Sequence, residues 1–168
     1  MRHGRAEDWA DGGDAERPLT SEGRAEVEDV GRALLCLGLA PSHAVSSPLL
    51  RARQTLRCAT EAAGMELVPC VMHPLVPNAP PRATLAALAA ELERIAASRV
   101  RLLAVGHNPN VTSTLGLLLA GAASHAFDFA PGTLAHVYVD QSGSALRGSL
   151  AGFYPASALV GLLRRPTA

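Results

Sequence analysis

The residues Arg2-His3-Gly4 hold the chemistry most worth testing in this chain. A neutral imidazole can attack phosphorus, and a guanidinium can hold the phosphoryl oxygens where no metal ion does so. A glycine beside them, lacking a Cβ, would let the backbone approach a phosphate. A second arginine and a second histidine further along would complete a metal-free phosphoryl-transfer site. Alone, the tripeptide recurs by chance, so the reading depends on whether the rest of the chain can bring such partners to it.

The bulk properties bound the answer. At 168 residues the chain suits one domain with a substantial core. Formal net charge is zero, which gives no electrostatic footprint for nucleic acid. Every Lys/Arg position is Arg, a compositional bias that lowers the weight of any single arginine. Cys36, Cys58 and Cys70 are odd in number and widely spaced, which predicts buried free thiols in a reducing cytoplasm and neither a disulfide framework nor a zinc site. No apolar run is long enough to span a bilayer, and the N-terminus does not read as a signal peptide.

Periodicity and punctuation predict the elements that must position the site. Residues 5–19 read as a polar loop whose acidic members, Glu7, Asp8, Asp11, Asp14 and Glu16, are solvated by default, although one could reach the reacting centre. Thr20 or Ser21 caps a helix with an apolar stripe running to Leu37, closed by Gly38. Ala44–Ser47 is a short strand, and Pro48 starts a helix to about Ala63, ended by Gly64. Leu67–Met72 reads as a strand, Arg82 to about Ser98 as a helix, Val100–Val105 as a strand covered on both faces and Val111–Leu119 as a helix. Thr133–Val139 and Ser144–Phe153 read as a hairpin turned by Asp140–Gly143, and Ala156–Leu163 as a closing helix. Helices alternating with strands predict a three-layer α/β/α sandwich with a mostly parallel sheet and an antiparallel edge hairpin. Arg2-His3-Gly4, Ser46-Ser47-Pro48 and Gly106-His107-Asn108 then all fall at strand ends, where such sheets bind ligands. A nucleophile is best held by a rigid element, yet only Met1 precedes Arg2. The expectation is therefore a single domain over 1–168 lacking its first strand, by truncation or misassignment of the start.

With Arg17-Pro18-Leu19-Thr20-Ser21-Glu22-Gly23, Ser46-Ser47-Pro48-Leu49-Leu50-Arg51-Ala52-Arg53-Gln54-Thr55 and Val105-Gly106-His107-Asn108-Pro109 added to the first motif, the chain resembles the histidine phosphatase superfamily, of phosphoglycerate mutase-like fold. The likeness is nearest to its small bacterial phosphohistidine phosphatases and covers nearly the whole chain. The resemblance implies a catalytic set of His3, Arg2, Arg51 and His107. His3 would be the transiently phosphorylated nucleophile, Arg2 and Arg51 would grip phosphoryl oxygens, and His107 would complete the phosphate pocket. No metal or cofactor is implied. A loose phosphoryl transition state gains mainly from fixed positive charge, which two arginines supply. His3 must be neutral to attack and a charged His107 would donate, so opposite protonation states are expected.

The chain departs from the family at the general acid. Many members carry a Glu shortly after the third strand, whereas Val71-Met72-His73-Pro74-Leu75 stands there. His73, Glu7 or Asp8 could substitute, but the expectation is no dedicated acid, which favours P–N substrates whose nitrogen leaving group is readily protonated. Arg53 is expected at the surface, Arg17 either at the pocket rim or in solvent, and Ser46 and Ser47 as caps. His43, His125 and His136 show no ligand spacing, and Asn108 supports its turn or touches phosphate. Two functions compete: a phosphatase acting on protein phosphohistidine or a small phosphorylated substrate, and a non-catalytic phosphate- or phosphoprotein-binding module. Neither calls for nucleic acid or membrane.

Overall fold

The computed structural model describes residues 1–97, 99–124, 126–142 and 145–164. Its helices are α1 (Ser21–Cys36), α2 (Leu50–Ala62), α3 (Pro81–Ile95), α4 (Asn110–Ala120) and α5 (Ala156–Leu163). Its strands are β1 (His43–Ser46), β2 (Cys70–Val71), β3 (Leu102–Val105), β4 (Leu134–Ser142) and β5 (Ala145–Tyr154). A parallel sheet has the order β2-β1-β3, and β4 and β5 form an antiparallel pair.

Residues 1–3 join the two sheets. On one side the Gly106 amide donates to the Met1 carbonyl and the His3 amide to the Gly106 carbonyl, both at 3.0 Å. On the other side the Arg2 amide donates to Thr133 and the Gly132 amide to His3, again at 3.0 Å. Three residues thus bridge the parallel sheet and the hairpin, and they run parallel to β3 at Arg2 and Gly106.

The strand side chains alternate between two cores, as a sheet covered on both faces requires. Ala44, Leu103 and Val105 join Val27, Val30 and Leu34 of α1 and Leu56 of α2. Val45, Leu102 and Ala104 turn the other way, to Met72, Leu75 and Leu88. Helices α1, α2 and α5 form one outer layer, and α3 and α4 the other. The layers are those expected of the sequence.

Both long helices of the first layer end as the glycines predict. Gly38 has φ +66° and Gly64 has φ +67°. After α1 the Leu39 amide reaches the Leu34 carbonyl at 2.8 Å, and after α2 the Met65 amide reaches Thr60 at 2.9 Å, each closing a Schellman cap. At the other end of α1 the Thr20 hydroxyl accepts from the Gly23 amide at 2.9 Å.

Several boundaries differ. The strand expected over Leu67–Met72 shrinks to Cys70–Val71, because Pro69 offers no N–H to the ladder and the strand lies at the sheet edge. Helix α2 starts at Leu50 and not at Pro48: the Ser47 hydroxyl accepts from the Leu49 amide at 3.3 Å and holds a turn ahead of it. The strand expected from Val100 begins at Leu102, since Arg101 is exposed. Asp140 and Gln141, expected in a turn, are paired in β4 with Arg147 and Leu146, and Gly143 and Ser144 lie outside the described residues. Of three cysteines expected to be buried, only Cys58 is; Cys36 and Cys70 are exposed free thiols.

Candidate active site

The three strand-end segments meet at one end of the parallel sheet. Residues 2–4 leave the β3 edge, Ser47 follows β1 with its amide bonded to the Val105 carbonyl at 3.0 Å, and His107 follows β3. The His3 and His107 rings stand 4.8 Å apart between centroids and are tilted by 50°.

The sequence motifs act as struts here. The Gly4 amide donates to the Thr55 hydroxyl at 2.9 Å, and that hydroxyl donates to the Arg51 carbonyl at 2.7 Å. One buried threonine therefore ties the segment bearing His3 to the helical turn bearing Arg51. The Gln54 side-chain oxygen accepts from the Leu19 amide at 2.7 Å and fixes the far end of the first loop. The role expected for Gly4 changes accordingly. A Cβ there would lie 2.6 Å from Val27 Cγ2, so the glycine makes room for α1, and its amide is already taken by Thr55.

His3 Nδ1 lies 2.7 Å from the Gly4 carbonyl. A carbonyl can only accept, so Nδ1 carries the proton and Nε2 keeps its lone pair. Burial, with Arg51, Arg2 and Arg17 adding like charge, pulls the His3 pKa down to about 4 against the Gly4 hydrogen bond. His107 is fully buried, and burial followed by His3 and Arg51 takes its pKa to about 3. The expected opposite protonation states are therefore not those of the free protein, in which both rings are neutral at ordinary pH. Neither ring nitrogen of His107 has a hydrogen-bond partner among the described residues, and nor does Arg2 Nε or the Thr133 hydroxyl. Buried polar atoms are rarely left so, and this cluster marks a place suited to a polar ligand.

The two arginines are anchored differently. Arg2 Nη1 donates to the Phe129 carbonyl at 2.7 Å, and Asn108 Nδ2 donates to the same oxygen at 3.1 Å. Asn108 Oδ1 in turn accepts from the Thr112 hydroxyl at 3.0 Å, so Asn108 supports its turn. Arg51 is buried and bound to Asp14: Nη1 to the carbonyl at 2.6 Å and Nη2 to Oδ2 at 3.0 Å. Arg17 Nη1 holds the other carboxylate oxygen at 2.8 Å. Hydrogen bonding from Arg17, then from Arg51, holds the Asp14 pKa below the usual carboxylate value.

The structure thus brings Arg2, His3, Arg51 and His107 together, with Arg17 at the rim. Glu7, Asp8 and His73 are exposed, and Asp14 is the acidic residue of the first loop that is hydrogen-bonded to the group. Thr55 and the Phe129 carbonyl were not singled out in the sequence, and Asp14 stood there as one of five loop acids of which one could reach the reacting centre. The Asp14–Arg17 spacing of three residues and the place of Thr55 one turn after Arg51 were available signals; a backbone carbonyl leaves none. His43 contacts Ser42 and His136 contacts Tyr138; His125 lies outside the described residues. No group of three or more potential metal ligands occurs among the described residues.

Comparisons with known proteins bear on the family and the fold. Residues 1–74 match the family model described as histidine phosphatase superfamily (branch 1). An uncharacterized protein of Picosynechococcus sp. is 41% identical over 128 residues, which is 74% of each chain. The solved structure of the protein histidine phosphatase SixA complexed with tungstate superposes with a TM-score of 0.82 at 28% identity, covering 95% of this chain and 96% of that one. A mycobacterial glucosyl-3-phosphoglycerate phosphatase with VO3 superposes at 0.66 and 18% identity, over 90% and 95% of the two chains; that likeness is one of fold.

Proposed function

This chain belongs to the histidine phosphatase superfamily, and from that premise we propose that it is a phosphatase acting through a phosphohistidine intermediate on His3. The observation carrying the reading is the half-buried His3 ring 4.8 Å from the buried His107 ring, both under the charge of Arg2 and Arg51, with no hydrogen-bond partner for either His107 nitrogen among the described residues. A tetrahedral oxyanion would accept from the protonated nitrogen of His107 and from the arginines, and SixA has been solved with one, tungstate.

In the proposed reaction His3 Nε2 attacks phosphorus in line with the leaving group. Arg2 and Arg51 hold the equatorial oxygens, and no metal ion enters the scheme. His107, although neutral, retains one N–H to give to an oxygen, and a bound anion would raise its basicity against the lowering by burial. The Nδ1 proton stays on His3, held by the Gly4 carbonyl, so the phosphorylated ring is a cation and a good leaving group. Water then attacks phosphorus and returns neutral His3. The substrate class is protein phosphohistidine or another small phosphorylated compound, and the three free thiols suit a reducing cytoplasm.

Release of phosphate from phosphohistidine by the wild type tests the reading. Arg51→Ala should cost about 10²–10³ in kcat, the scale for losing a charge-stabilising donor. His3→Ala should abolish turnover; unchanged release in that variant would remove the proposal.

A further inference from the structure

We infer that Asp14 determines specificity: it favours phosphoryl donors whose leaving group is a protonated ring nitrogen and disfavours phosphate esters. The inference rests on the phosphoryl site proposed above.

Asp14 opens a single 3-10 turn, Asp14–Glu16, over the buried Arg51. Its carbonyl and one carboxylate oxygen accept from the two terminal nitrogens of Arg51, and its other carboxylate oxygen accepts from Arg17. The Arg51 side chain is 5% exposed and that of Asp14 is 60% exposed. The carboxylate therefore has one face on the buried arginine and the other towards solvent, from which a substrate must arrive. Each Arg51 terminal nitrogen keeps a second N–H, so one guanidinium can serve Asp14 and a phosphoryl oxygen together. The two arginine contacts keep Asp14 ionised. Its charge also reaches His107, where it opposes the arginines.

A fixed negative charge at the entrance treats two kinds of substrate differently. A phosphate ester brings a dianion and an uncharged leaving group, so Asp14 repels it and competes for Arg51. An N-phosphoimidazolium brings the same phosphoryl group with a positive ring, and Asp14 both attracts that ring and holds its proton on. The transfer then balances without an acid. The His3 Nε2 lone pair forms the new P–N bond. The old P–N pair returns to the departing ring, which leaves as neutral imidazole with its distal N–H. The positive charge passes to His3, whose Nδ1–H stays on the Gly4 carbonyl. Nothing in this exchange needs the glutamate that the chain lacks near Pro74, because the proton is already in place.

The test is the ratio of kcat/KM for phosphoimidazole to kcat/KM for para-nitrophenyl phosphate, at pH 7, in wild type and Asp14→Asn. The asparagine removes the charge and one of the two side-chain acceptors, while its remaining oxygen and the backbone carbonyl can still hold the arginines. Unit charges roughly 10 Å apart at an effective dielectric of about 20 change a rate about ten- to twentyfold. The ratio should fall by about that factor, with phosphoimidazole turnover lower and ester turnover higher. Asp14→Ser, with melting curves for both variants, guards against a folding defect. A ratio within twofold of wild type in both variants would overturn the inference while His3-dependent turnover left the phosphatase reading standing. Failure of the wild type to hydrolyse either substrate would remove both.

Discussion

Thr55 offers a sharp test of how the site is held together. Its hydroxyl accepts from the Gly4 amide at 2.9 Å, donates to the Arg51 carbonyl at 2.7 Å and is fully buried. Thr55→Val keeps the shape and removes both bonds. The Gly4 N–H is then orphaned in the interior, at a cost of about 1–3 kcal/mol. For a domain of this size each kcal/mol shifts the melting temperature by about 2–4 °C, so a drop of roughly 3–10 °C is expected by calorimetry. Activity should suffer more than stability. Gly4 adjoins the nucleophile, and misplacement by about 1 Å can cost on the order of 10²-fold. We expect kcat to fall between about ten- and a hundredfold with little change in KM, and Thr55→Ser to recover most of it. A Thr55→Val protein that melts and turns over as the wild type does would refute the strut.

Other outcomes follow from packing and burial. A Cβ on Gly31 of α1 would run into the Ala59 carbonyl of α2, so Gly31→Ala should destabilise the fold by about 3 kcal/mol, read as a shifted urea midpoint; an unshifted midpoint would contradict the close approach of the two helices. Stability of the ligand-free protein should fall with acidity. The native pKa values of His3 and His107, about 4 and about 3, lie below the ordinary 6.5, so the unfolded chain binds protons first as pH drops. The loss should begin near pH 6.5 and run to the native pKa values, at up to about 1.4 kcal/mol per pH unit for each ring. His107→Gln should flatten that dependence, and a urea midpoint constant from pH 7 to 4.5 would show that the rings are not buried as described.

Much of the frame could be read from residue patterns. The stripe from Ala25 to Leu37 and the glycines at 38 and 64 locate α1 and the ends of α1 and α2, because amphipathic period and left-handed caps are local properties. The alternation that places Val45 in one core and Ala44 in the other is equally local. That the segments at residues 2–4, 46–48 and 106–108 share one end of a parallel sheet followed from strand ends, whereas Arg51 was picked out by the family resemblance. What was not legible depended on contacts distant in sequence. The clamp of Asp14 on Arg51 joins a polar loop without periodicity to a helix 37 residues away. The burial that lowers both histidines comes from the finished fold, so their charge states could not be read from spacing. Gly4 was misread because the nearest obstacle to a Cβ, Val27, belongs to another element.

The most direct measurement is the position of the phosphoryl group on the trapped intermediate. Wild type quenched during turnover of a phosphoryl donor should carry an acid-labile, base-stable adduct on His3. NMR of the phosphorylated ring should place phosphorus on Nε2, since Nδ1 is held by the Gly4 carbonyl. Phosphorus on Nδ1, or an adduct that survives His3→Ala, would contradict the account.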